Sequence, residues 1–181
     1  LAVPLARSGN RRNAFVVPLL LLLGGLAAIH HAAYGGLVSG AWLSTAGSAA
    51  MDLVALLLTV IGGRVIPNFS ANAVRGLEPR RWRPVEWGAI GGVGLIALLD
   101  VTGAAASLPA PALRTLFFAV AAVQLVRLLG WQPWKTRGNA LLLVLPLGYL
   151  WLPVRFALRG LLDAVPGQMA QPALHVLAVG A

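Results

Sequence analysis

The chain has no cysteine and one lysine, Lys135, and its five acidic residues stand against fourteen basic ones. Without cysteine there are no disulfides, no thiolate nucleophiles and no cysteine-ligated metal centres. Charge of either sign is scarce: 10% of the 181 residues are charged and 59% are hydrophobic, where a soluble domain carries about 25% charged residues. Such a chain cannot cover its surface with polar groups, so its solvent is mostly lipid. The formal net charge of +9 does not point to nucleic acid, because the charges sit in short loops between apolar runs, with no aromatic–basic interleaving. No Ser-His-Asp set, paired glycosidase-type carboxylates or zinc-binding helix motif is present. The residues therefore favour no enzyme class, and enzymatic activity stays open. The excess of Arg over Lys, with abundant Ala, Leu and Gly, suggests a GC-rich bacterial gene.

What is present is length of apolar run. A membrane-crossing helix needs about 20 mostly apolar residues, and five stretches qualify: 14–36, 44–66, 85–105, 112–131 and 139–161. Residues 172–181 are apolar over about half a span. The expectation is an all-α polytopic transmembrane bundle of five full spans plus a truncated sixth. It forms a single transmembrane region over residues 1–181 that is part of a longer membrane protein. No signal peptide is visible, since the first apolar run is too long and no small-residue cleavage site follows a short one.

Orientation follows from the loops. Arg7, Arg11 and Arg12 precede the first span, Arg75, Arg80, Arg81 and Arg83 follow the second, and Lys135 and Arg137 follow the fourth. Arg64 and Arg127 stand at the edges of the latter two loops. The alternate connections, 35–43 and 103–111, carry no charge, and on that side only Arg114, Arg155 and Arg159 appear. This asymmetry places the Arg7 end in the cytoplasm. Trp42, Trp82, Trp87, Trp131 and Trp134 fall near span ends, as interface anchors do, whereas Trp151 lies inside the fifth span and is expected to pack against a neighbour or a cofactor. Gly88 and Gly92 form a Gly-x-x-x-Gly pair that lets helices approach closely.

The stretch "VIGGRVIPNFSANAVRG", residues 60–76, changes character midway. Pro67 is expected to end the second helix, since it cannot donate and restrains its neighbour. Asn68, Ser70 and Asn72 would then bond free backbone groups in the turn. Arg64 has two readings. It snorkels to headgroups near a helix C-terminus, or, with Gly62 and Gly63 admitting a close neighbour, it grips a carboxylate.

The segment "GGRVIPNFSANAVRG" resembles the Gly-Gly-Arg-x-Ile-Pro-x-Phe segment of the NnrS family of bacterial membrane proteins. Three further stretches resemble that family in the same order: "RRNAFVVPLLLLLGGLAAIHHAAY", "LGYLWLPVRFALRG" and "ALHVLAVGA". The resemblance runs almost end to end. It implies a haem- and copper-containing protein of the bacterial inner membrane, linked to nitric oxide metabolism and resistance, with nitric oxide or a metal-nitrosyl species as partner beside the lipid bilayer. Family members have about twice the helices seen here. One position departs from the pattern: where a histidine commonly stands three residues before the Tyr of the Gly-Tyr-x-Trp segment, this chain has Pro146. Pro146 and Pro153 are expected to bend the fifth helix.

The residues allow a site without the family. His30, His31 and His175, the only histidines, fall at a similar depth in the outer leaflet, and imidazole suits both haem iron and copper. His31 and His175 are the expected ligands. His30 points about 100° away around the helix and is expected to be dispensable. Small residues beside the pair, among them Gly24, Gly25, Ala27 and Ala28, leave room for a flat ring. Interfacial histidines that only meet water and headgroups are the plain alternative. Arg64, with Tyr149 and Arg155 of the fifth span, is assigned to cofactor binding. Asp52 and Asp100 share the outer half of the bilayer with Arg155. They either pair with it or stand behind a ligand histidine and hold its far nitrogen. Gln124 reads as an interhelical hydrogen bond. Two other functions stay open: a transporter whose intramembrane Asp and Arg line a route, and a non-catalytic assembly protein.

Overall fold

The computed structural model describes residues 15–162. Five helices follow one another: α1 (Val16–Tyr34), α2 (Ala41–Ala73), α3 (Arg83–Thr102), α4 (Ala110–Gly130) and α5 (Ala140–Leu162), with 3-10 turns at Ala104–Ser107 and Pro133–Thr136. There is no strand among the described residues. All five helices are long and apolar enough to cross a membrane, and the protein is a multi-pass membrane protein. The apolar run 172–181 and its truncated sixth span lie outside the described residues.

Helix ends follow local chemistry. Gly36 adopts φ +74° and closes α1, with the Leu37 N–H reaching back to the Ala32 carbonyl at 2.9 Å. Only a residue without Cβ takes that left-handed turn cheaply. Gly103, at φ +72°, closes α3 in the same conformation. Pro84 stands in the first turn of α3 and Pro111 in that of α4, where a missing N–H costs nothing.

Helix α2 corrects the expected boundary. It runs through Pro67 to Ala73, 33 residues in all, or about 50 Å at 1.5 Å per residue. A proline inside a helix forfeits the bond to the carbonyl four residues back, at a cost of about 3 kcal/mol. Here the ring is fully buried, and tertiary packing holds the helix across it. Ser70 is buried within the same helix and its carbonyl accepts the Val74 N–H that ends it. Asn68 accepts a hydrogen bond from Arg81 Nη2 at 2.8 Å.

Helices α2, α3, α4 and α5 close a bundle, and α1 packs on its outside against α2. The main core joins Ala55 and Ile66 of α2, Val93 and Ile96 of α3, Phe117 and Val120 of α4, and Tyr149, Leu152 and Phe156 of α5. A smaller cluster, Leu26, Ala46, Ala49, Leu53 and Ala97, ties α1 to α2 and α3. The Gly-x-x-x-Gly pair on α3 does what its spacing implies: a Cβ on Gly92 would come within 2.7 Å of Val120 on α4. Large apolar side chains face outward, Leu21 and Leu141 at 72% and 83% exposure. Water would be a poor solvent for that surface and acyl chains a good one.

Candidate functional site

Polar side chains gather at two depths inside the bundle. The first group centres on Arg127 of α4, only 3% exposed. Its Nε donates to Glu86 Oε1 at 3.0 Å and its Nη2 meets Glu86 Oε2 at 2.5 Å, a bidentate fork between α4 and α3. Nη1 donates to the Thr59 carbonyl on α2 and to the Tyr149 hydroxyl on α5, both at 2.8 Å. That hydroxyl donates in turn to Gln124 Oε1. Gln124 Nε2 donates to Thr59 Oγ1 at 3.2 Å and to the Ala89 carbonyl at 3.3 Å. One guanidinium thus joins all four bundle helices, and apart from the part-exposed Glu86 the groups bonded to it are buried, where an unmade bond is expensive.

Small residues make room for it. A Cβ on Gly63 would stand 1.9 Å from Arg127 Nη2, and one on Gly62 would stand 3.0 Å from the Tyr149 ring. The guanidinium also lies 5.3 Å from the Trp131 ring centroid, and Trp131 meets Tyr149 edge-on at 4.7 Å. Trp131 is therefore a core residue, 1% exposed, and not the interface anchor its position near a span end implies. Trp42, Trp82, Trp87 and Trp134 are exposed, and so is Trp151, at 38%.

The second group lies toward the other end of α5. Arg159 donates through Nη1 to Asp52 Oδ2 and through Nη2 to Asp100 Oδ2, each at 2.9 Å. Arg155 Nη1 lies 2.6 Å from Asp52 Oδ1. That contact is an ion pair without hydrogen-bond alignment, and Arg155 Nε and Nη2 also have no hydrogen-bond partner among the described residues. Arg155 and Asp52 are both fully buried. Two arginines face two aspartates, so the cluster is neutral as a whole. Aromatic faces support it, with Arg159 4.4 Å from the Phe117 centroid and Arg155 5.3 Å from that of Phe156.

The expected site residues fall on different sides of this interior. Asp52, Asp100, Arg155 and Tyr149 are inside it, and the two aspartates are held by arginines. His30 and His31 are exposed on α1, their rings crossed at 81° with centroids 6.3 Å apart. His30 Nδ1 lies 3.2 Å from the Leu43 carbonyl, a contact that uses the Nδ1–H tautomer. Arg64 is exposed on the face of α2 turned to α1, with its guanidinium 5.8 Å from the Phe15 ring centroid. Pro146, three residues before Tyr149, is on the buried face of α5. His175 lies outside the described residues. Among the described residues no three His, Cys, Asp or Glu side chains come together as a metal site.

Sequence reasoning missed the Arg127 group and the role of Arg159. A signal existed. Gln124 and Arg127 on α4, with Trp131 just past its end, follow at i, i+3 and i+7, and Arg155 and Arg159 at i and i+4 on α5, the spacing of one helix face. Counting the arginines as loop charges hid it.

The model of the NnrS family, described as NnrS protein, matches residues 1–181, the whole chain. No curated protein and no solved structure matches.

Proposed function

The chain belongs to the NnrS family, and on that premise we propose that it is a haem- and copper-binding protein of the bacterial inner membrane that takes part in the nitric oxide response. The family match over the whole chain carries this reading. Five helices able to cross a bilayer agree with it, and nitric oxide or a metal-nitrosyl species is the small-molecule partner it implies.

The donors among the described residues do not by themselves fit either cofactor. Asp52 and Asp100 are held by Arg155 and Arg159, and Glu86 is held by Arg127. What remains is imidazole on α1. His31 is the proposed donor from that helix, with His30 beside it and His175 as the proposed second donor. Arg64 is proposed as the cation for an acidic edge of the cofactor. Tyr149 and Arg155 are engaged within the bundle, so their proposed part is positioning. Asp52 and Asp100 act in the same way, by fixing α2 and α3 against α5.

The test is the absorption spectrum and metal content of the full protein, isolated in mild detergent from cells replete in haem and copper. A Soret band with bound iron and copper is expected, together with lost nitric oxide tolerance in cells that lack the protein. A colourless, metal-free preparation from those cells would overturn the cofactor assignment. One observation favours a second reading, a carrier: ionisable groups occupy the bundle at two depths, as they do along translocation routes. Substrate-dependent charge movement in reconstituted vesicles would support that reading instead.

A further inference from the structure

On the arginine-rich face, the loop after α2 folds against the loop after α4. The Arg80 N–H donates to the Gly130 carbonyl at 2.9 Å. Gly130 has to be small, because a Cβ there would lie 3.0 Å from the Arg80 carbonyl oxygen and 3.5 Å from the Trp82 ring. Between the two loops lies an open cleft of about 480 Å³. Arg80 and Lys135 line it as cations, and Trp82 and Trp134 as exposed indoles. Val126 and Leu129, which face outward from the end of α4, continue the wall toward the bilayer.

Gln132 completes the lining. It is the one non-glycine residue among those described with a positive φ, +57°, a conformation that favours glycine or asparagine. Its Nε2 donates to the Glu78 carbonyl at 3.1 Å, which fixes the amide. The other end of that amide, Oε1, is buried with no hydrogen-bond partner among the described residues. That oxygen is closed to the cleft, so the amide acts through its donor end, tying the loop after α4 to the Glu78 carbonyl. No acidic side chain lines the cleft among the described residues.

Each feature selects part of one molecule. Two cations suit a phosphate, and paired indoles at a helix end suit the headgroup level of a bilayer. The Val126–Leu129 wall suits the start of an acyl chain. We propose that this cleft seats an anionic glycerophospholipid, of which phosphatidylglycerol is a simple example. Arg80 and Lys135 hold its phosphate, and the lipid clamps the α2–α3 and α4–α5 loops together. The site is independent of any metal centre.

The experiment is lipid retention on the full chain, released from nanodiscs of phosphatidylcholine containing a minor fraction of phosphatidylglycerol, phosphatidic acid or neither, and read by native mass spectrometry. Phosphatidylglycerol should be retained selectively. A cation beside an anionic lipid is worth about fivefold in affinity, so the Arg80→Ala/Lys135→Ala pair should weaken retention by about thirtyfold. Phosphatidic acid should be retained as phosphatidylglycerol is. Equal retention of phosphatidylcholine overturns the site. Displacement by millimolar inorganic phosphate would make the cleft a free-phosphate site and overturn the lipid. Variants that melt as the parent does in lipid-free detergent establish that retention, not folding, has changed.

Discussion

Arg127 and Glu86 face each other as a fork on a fork, Nε to Oε1 at 3.0 Å and Nη2 to Oε2 at 2.5 Å. The pair links α4 to α3, while the remaining guanidinium nitrogen reaches α2 and α5. Lysine keeps the charge but cannot make these contacts together, since its ammonium is a point donor on a flexible stem. Arg127→Lys should therefore lower thermal stability in detergent, and Arg127→Ala should lower it further. Breaking a buried pair from one side costs about 3–5 kcal/mol. The lower end applies here because Glu86 keeps a quarter of its side chain exposed. An Arg127→Lys melting temperature equal to that of the parent would show that charge alone suffices.

Gly63 tests the same contact from the other side. A methyl there would lie 1.9 Å from Arg127 Nη2, and that nitrogen cannot swing away without leaving Glu86. Gly63→Ala should destabilise by about 1–3 kcal/mol, the usual range for overpacking. Gly94 on α3 is the control, with nothing within 4 Å of its would-be Cβ. Gly94→Ala should be neutral or stabilising by about 0.5–1 kcal/mol through helix propensity. Equal melting shifts for the two variants would sink the steric account.

The second cluster predicts a rescue. Asp52 serves both Arg155 and Arg159, whereas among the described residues Asp100 pairs with Arg159 alone. Asp52→Asn leaves a fully buried Arg155 without a counter-charge, and should cost more than Asp100→Asn. Adding Arg155→Met to Asp52→Asn restores neutrality, with Arg159 and Asp100 still paired. The double variant should regain most of the loss, since a buried pair replaced by apolar groups is often near neutral. A double variant no more stable than Asp52→Asn would mean that Arg155 is held by something other than Asp52.

Topology has a direct test in a chain without cysteine. Ser39→Cys, Ser107→Cys and Arg137→Cys each introduce a single thiol that can be labelled without removing a native one. Membrane-impermeant maleimide should reach the first two in intact cells. The third, in the loop after α4, should react only once the membrane has been opened. The opposite pattern reverses the orientation inferred from loop arginines.

The spans were legible because about twenty apolar residues in a row admit few other folds. Helices α1, α3, α4 and α5 begin and end close to the expected bounds. The exception is α2, where the local rule for proline gave way to burial of Ile66, Pro67 and Ser70. Gln124 was read correctly as an interhelical bond. Its partners were not, because Thr59, Ala89 and Tyr149 come from three other helices, and no spacing within α4 reveals them. Arg127 misled for a physical reason. At the end of an apolar run an arginine counts as a loop-edge charge, and only tertiary contacts reveal a guanidinium turned inward to Glu86.

The histidines carry the last prediction. His31 and His175 are expected to contribute to one haem or copper site, and His30 is expected to be dispensable. Neighbouring residues on a helix diverge by about 100°, so one partner cannot be served by both. His31→Ala and His175→Ala should each lower bound metal by about tenfold or more and shift the absorption spectrum, as loss of even an outer-shell partner costs about 10–100-fold in metal affinity. His30→Ala should leave both unchanged and affect only the α1–α2 turn. All three are measured on the full-length protein by metal analysis and optical spectra. Unchanged metal in both His31→Ala and His175→Ala would leave the three histidines as interfacial residues and move the search for ligands elsewhere.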